Sequence, residues 1–194
     1  MRKNPLRWIP GEHRKAVTVL CAAAVMLVVV SLVFRPSAPA AKTTAASATL
    51  IGFSQVDRPA PAFSLPALDG DGTVGPGKLT GRPLVVNFWS SSCDVCQQET
   101  PALAAVARTT SDVGFLGVDT FDLRSSGQAF AHRYRVPYQV AFDPNGVAAN
   151  RYRVPGLPTT YFLSKTGTRI VGVNVGALTV RSLTRILHSL YGSG

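Results

Sequence analysis

Histidine and cysteine are scarce, with three of each in 194 residues. Two cysteines, Cys93 and Cys96, stand two residues apart in "FWSSSCDVCQQETP", and no second such pair exists. The histidines past that point, His132 and His188, lie 36 and 92 residues beyond Cys96. A structural zinc takes about four ligands at suitable spacing, so this inventory argues against a zinc site, and no metal is expected. Acidic residues are also few, 10 against 20 lysines and arginines, for a net charge of +10. That charge comes without any basic run interleaved with aromatics, so no nucleic-acid partner is expected. Residues 1–15 hold a local +4, and the remainder is scattered as on a solvated basic surface.

Charge is missing altogether from residues 16–34, "AVTVLCAAAVMLVVVSLVF", an apolar run of 19 residues. At about 1.5 Å per residue, a helix of that length spans roughly 28 Å, close to the ~30 Å hydrocarbon core. Basic residues crowd its N-terminal side, which the positive-inside rule places in the cytoplasm. The expectation is a cytoplasmic N-terminus (1–15), a single-pass anchor in the cytoplasmic membrane (16–34), and an extracytoplasmic remainder. "APAA" at 38–41 offers the rival reading of a cleaved signal peptide, although the apolar run exceeds the usual length of about 7–15 residues. Cys21 lies inside the run and reads as a small apolar filler. Residues 35–58 are rich in Ala, Ser, Thr and Pro and read as a flexible linker. "LIGF" at 50–53 is a candidate to touch the domain that follows, residues 59–194.

Within that domain the apolar runs "LVVNFW" (84–89) and "VGFLGVDT" (113–120) predict buried strands. "CQQETPALAAVART" predicts a helix, "SSGQAFAHRYR" a short helix capped by serine, and "GVAANRYR" a further turn or two. "AFSL" and "TV" flank "DGDG" as a small hairpin, and "YQVAFD" is a short extended piece. "TTYFLS" and "RIVGVNVG" predict an antiparallel hairpin, and "TVRSLTRILHSLY" an amphipathic terminal helix. Parallel strands with helical crossovers followed by a hairpin give an α/β domain with a mixed central sheet. "RYRVP" occurs at 133–137 and again at 151–155, as two helix ends that each stop before a proline.

The cysteine pair follows a buried strand and opens a helix. A helix N-terminus supplies free N–H groups and partial positive charge, both of which favour a thiolate. Redox exchange, with Cys93 attacking and Cys96 shielded one turn in, explains this placement. A static staple is the alternative, although so short a loop constrains the unfolded chain little.

"VVNFWSSSCDVCQQETP" followed by "GLPTTYFL" resembles the TlpA/ResA-type thioredoxin-like proteins, over roughly residues 59–190. The resemblance implies a thioredoxin-like fold and a membrane-tethered, extracytoplasmic thiol–disulfide oxidoreductase. Its cofactor would be none beyond the redox-active Cys93–Cys96 pair. It implies Cys93 as nucleophile, Cys96 as resolving cysteine, and Pro158 as a cis-proline that leaves the Leu157 backbone free for an extended substrate. Glu99 would move a proton or touch the partner, against the plainer reading of a solvated helix-start glutamate. Asn87 stands where thioredoxin has a buried aspartate, which hands proton transfer to Glu99, Asp94 or water. The chain departs from the family at Ser92, where a tryptophan is usual, although Trp89 remains. Asp94 and Val95 fill the positions between the cysteines, and Asp94 should oppose the Cys93 thiolate.

The expected function is reduction of disulfides in exported proteins, with electrons from an integral membrane thiol carrier. In the resembling family, apocytochrome c is a frequent client. The alternatives are an extracytoplasmic disulfide-forming oxidase and a non-catalytic binding module with a structural disulfide. A peroxidase would have Pro and Thr at the positions of Val86 and Ser90, and this chain does not.

Overall fold

The computed structural model describes residues 52–192. The basic N-terminus, the apolar run 16–34 with Cys21, and the linker as far as residue 51 lie outside the described residues. Among the described residues no helix is long and apolar enough to cross a membrane.

Strand β1 (Phe53–Pro59) is followed by the small hairpin β2 (Leu65–Pro66) and β3 (Thr73–Val74). The central series is β4 (Leu84–Trp89), α1 (Asp94–Thr109), β5 (Gly114–Thr120), α2 (Arg124–Arg133) and β6 (Gln139–Asp143). Helix α3 (Val147–Tyr152), strands β7 (Thr159–Leu163) and β8 (Arg169–Val175), and helix α4 (Val180–Tyr191) complete the chain. The six-stranded sheet runs β1-β8-β7-β4-β5-β6. β4, β5 and β6 are parallel, whereas β7, β8 and β1 are joined antiparallel. The mixed sheet and flanking helices are those of a thioredoxin-like α/β fold.

β1 corrects one expectation. Residues 53–58, read as the end of a flexible linker, form a strand paired with β8. Phe53 packs edge-on against Phe162, with ring centroids 5.8 Å apart. The Ala, Ser and Thr content that signals a tether stops at about residue 49, and the alternating "FSQVDR" belongs to the sheet.

β4 is buried at every position, as its continuous apolar run requires. Its residues alternate between two cores. Val85 joins Leu103 of α1, Phe162 of β7 and Leu183 and Ile186 of α4. Val86 and Phe88 face the other way, towards Tyr161 and the Ala148, Ala149 and Tyr152 face of α3. Trp89 stacks on Phe130 of α2, with centroids 4.5 Å apart. α1 continues through Pro101, which is exposed, to Thr109. α2 lacks the expected serine cap: Ser125 and Ser126 lie inside its first turn, and Leu123 at the cap position makes no side-chain bond to the helix. α4 starts as expected for its sequence, with Thr179 and Ser182 forming a reciprocal capping box.

Candidate active site

The three parallel strands end on one edge of the sheet, the edge where open α/β sheets place their sites. β4 leads there through Ser90–Ser92 to Cys93, which is the N-cap of α1, and its Sγ accepts the Cys96 N–H at 3.1 Å. The two cysteines are joined by a disulfide. Cys93 is partly exposed, whereas Cys96 is fully buried in a cluster with Trp89, Phe130 and Val140. Helical spacing accounts for the difference, because Cys96 opens the inward stripe that continues with Glu99, Leu103 and Val106.

Glu99 therefore points inward. It is 1 % exposed, which corrects both the solvated reading and the reading in which it touches a partner. Asn87 Nδ2 donates to its Oε2 at 3.0 Å, and the Leu178 N–H donates to Oε1 at 2.9 Å. Asn87 also donates to Thr160 Oγ1 at 2.9 Å, which ties β4 to β7 beneath the disulfide. Burial drives the Glu99 carboxyl up to about 7, against the two bonds that favour its charge.

The Leu157–Pro158 peptide is cis. Pro158 is buried, and Leu157 packs against the same apolar cluster as Cys96 and Cys93. Asp94, Val95 and Ser92 are exposed around Cys93. Trp89 is only 2 % exposed and shares the buried cluster of Cys96, so the outer rim carries Ser92, Asp94 and the exposed Val95 in place of an aromatic ring. The structure thus brings Cys93, Cys96, Asn87, Glu99, Trp89, Leu157 and Pro158 to one place, with Ser92, Asp94 and Val95 on its surface. His132 and His188 lie apart from it on exposed positions, His132 beside Asp69 at 3.4 Å.

Two acids escaped sequence reasoning. Asp122 binds the serine loop through the Ser91 N–H at 2.6 Å, and Asp119 is buried at the end of β5. The signal for Asp119 was present, since it is the one charged residue in the apolar strand "GFLGVDT".

The profile of the AhpC/TSA family matches residues 56–170. The thiol:disulfide interchange protein DsbE of Allochromatium vinosum is 38 % identical over 114 residues, covering 58 % of this chain and 62 % of that protein. The chain therefore spans less than two thirds of that relative. The thioredoxin-like protein YneN of Bacillus subtilis is 30 % identical over 137 residues, covering 69 % of this chain and 79 % of that one. Among solved structures, a secreted Mycobacterium tuberculosis disulfide oxidoreductase homologous to Escherichia coli DsbE superposes with a TM-score of 0.60. It is 29 % identical, and the match covers 66 % of this chain and 96 % of that one.

Proposed function

Because this chain belongs to the AhpC/TSA family and carries its thioredoxin-like domain, we propose that it is an extracytoplasmic thiol–disulfide oxidoreductase that reduces disulfides of exported proteins. One observation carries the reading: a partly exposed Cys93 and a fully buried Cys96 meet at a helix start, with a buried acid one turn further on. In the reduced form the Cys93 thiolate attacks a substrate disulfide, forms a mixed disulfide and expels one substrate sulfur as a thiolate. Cys96 then loses its proton and attacks Cys93 Sγ. The Cys93–Cys96 disulfide forms, and the second substrate sulfur leaves reduced. We assign acceptance of the Cys96 proton to Glu99, the buried acid one helical turn further on, whose carboxyl is raised to about 7. A thiol carrier in the membrane restores the dithiol, and the apolar run at 16–34 holds the domain at that membrane. The small polar rim at Ser92 and Asp94 suits an extended, accessible cysteine pair such as that of an apocytochrome c.

The direction of flow follows from thiolate stability. Asp94 puts a carboxylate beside Cys93, which opposes the helix N-terminus and favours the oxidised pair, so the protein leans towards reductant. The deciding experiment is the reduction potential of the pair against glutathione. A value near that of thioredoxin, about −270 mV, is expected; a value near that of DsbA, about −120 mV, assigns the protein to disulfide formation instead.

A further inference from the structure

β5 holds an acid that the exchange reaction above does not use. Asp119 is fully buried, between Trp89 of β4 and Phe142 of β6 in the sheet register. The space for its carboxyl is built in: a Cβ on Gly127 of α2 would stand 1.9 Å from Asp119 Oδ2. No N–H or O–H among the described residues reaches either Asp119 oxygen. The charged groups that face it are the Asp122 carboxylate from the loop after β5 and, more weakly, the Arg124 guanidinium from the first turn of α2. Its neighbours on β4 and β6, Trp89 and Phe142, do not titrate.

Asp122 is partly exposed, but Asp119 is fully buried with no donor to its oxygens among the described residues, so a charge there is unsupported, and two carboxyls bond only through a proton that one of them retains. Asp119 is the member that keeps it. Burial, and then the charge of Asp122, push its carboxyl up to about 8. For Asp122 burial also opposes charge, but bonds from Ser91 and from the Leu123 N–H hold its carboxyl below the usual range. Asp122 Oδ2 accepts the Ser91 N–H at 2.6 Å and the Ser90 hydroxyl at 3.4 Å, and Oδ1 accepts the Leu123 N–H at 2.8 Å. Ser90 Oγ lies 3.1 Å from Ser92 Oγ, and the Ser90 carbonyl accepts the Cys93 N–H at 3.2 Å. The serines before Cys93 are thus anchored to the acid pair.

We infer that Asp119 and Asp122 form a one-proton carboxyl pair that holds the Ser90–Ser92 loop and so positions Cys93 for attack. The inference rests on the proposed role of Cys93 as the attacking sulfur. Asp122 is the positioning residue, and Asp119 supplies the proton that lets Asp122 keep its charge on the loop. Once that proton is lost to water, two anions face each other, one of them fully buried, and the Asp122 carboxylate is pushed off Ser91.

Two measurements on the full chain test this. Infrared spectra of the oxidised protein, in which the paired cysteines do not titrate, report protonated carboxyls directly. In Glu99→Gln a protonated carboxyl should persist and titrate near pH 8, and adding Asp119→Asn should remove it. Adding Asp122→Asn instead relieves the repulsion and offers an amide donor, so the same band should titrate at least about one pH unit lower. The second readout is Cys93 alkylation in reduced Cys96→Ser protein, corrected for thiolate fraction by ultraviolet absorbance. Asp119→Asn, which keeps an N–H towards Asp122, should flatten its change with pH near 8. Asp122→Asn should shift the rate about threefold or more at every pH. Absence of any protonated carboxyl above about pH 6 in Glu99→Gln overturns the pair, and an unaltered alkylation profile in both variants overturns the positioning role. Neither readout needs a protein substrate, so they decide the pair whatever the exchange activity of the protein proves to be.

Discussion

Glu99 and Cys96 are adjacent members of one inward stripe on α1, and their burial sets what each can do. The Glu99 carboxyl rises to about 7 in the folded chain from its ordinary 4.5. Between those values the folded state holds a proton that the unfolded state has released, so rising pH disfavours folding there. Stability of the oxidised protein should fall from about pH 4.5 to about pH 7 on this account, by up to about 3 kcal/mol. Glu99→Gln should flatten that stretch in urea melts, while the decline due to Asp119 up to about pH 8 remains. The cysteines should separate by exposure. Cys96→Ser should accumulate a mixed disulfide with a substrate protein on non-reducing gels. Cys93→Ser should give none, because a fully buried Cys96 is out of reach.

Among the elements, the repeated "RYRVP" acquires a physical meaning. Both copies end a helix in the same way. Arg135 and Arg153 take positive φ, 49° and 57°. Val136 N–H reaches Ala131 O at 3.0 Å and Arg135 N–H reaches His132 O at 3.1 Å; Val154 to Ala149 and Arg153 to Asn150 repeat the pattern at 3.0 and 3.1 Å. This is the Schellman arrangement, with arginine in the left-handed place where glycine is usual. Proline follows two residues later and does not itself stop the helix. Arg153 is exposed, so Arg153→Gly relieves backbone strain without uncovering a core. It should raise stability by about 0.5–1 kcal/mol in chemical denaturation. At α4 the opposite change applies. Thr179→Ala removes the bond its side chain accepts from the Ser182 N–H at 3.1 Å and should lower stability by about 1 kcal/mol.

At the scale of the molecule, β1 decides where the domain begins. It covers the edge of β8, and Phe53 packs on Phe162 and over Gly172, where a Cβ would stand 2.9 Å from the Phe53 ring. A chain starting at residue 60 should lose its cooperative thermal transition or aggregate through the bared β8 edge. A chain starting at residue 50 should keep a single cooperative transition. Differential scanning calorimetry of the two truncations reads this directly.

Local pattern made much of this protein legible. Continuous apolar runs marked β4 and β5, two β-prone runs around a short turn marked the β7–β8 hairpin, and a five-residue apolar stripe marked α4, because burial and turn chemistry leave local signatures. The spacing Cys93-x-x-Cys96 after a strand located the site, since only a helix start there brings the sulfurs to free N–H groups. Tertiary structure decided what no local pattern contains. Asp122, which no spacing links to Cys93, meets the serine loop because parallel β4 and β5 end on the same edge. Asn87 of β4 and the Leu178 N–H from the loop after β8 converge on Glu99, and Thr160 of β7 accepts a second bond from Asn87. Whether a carboxyl is a solvated charge or a buried acid depends on what packs over it, and that cover comes from residues far away in the chain.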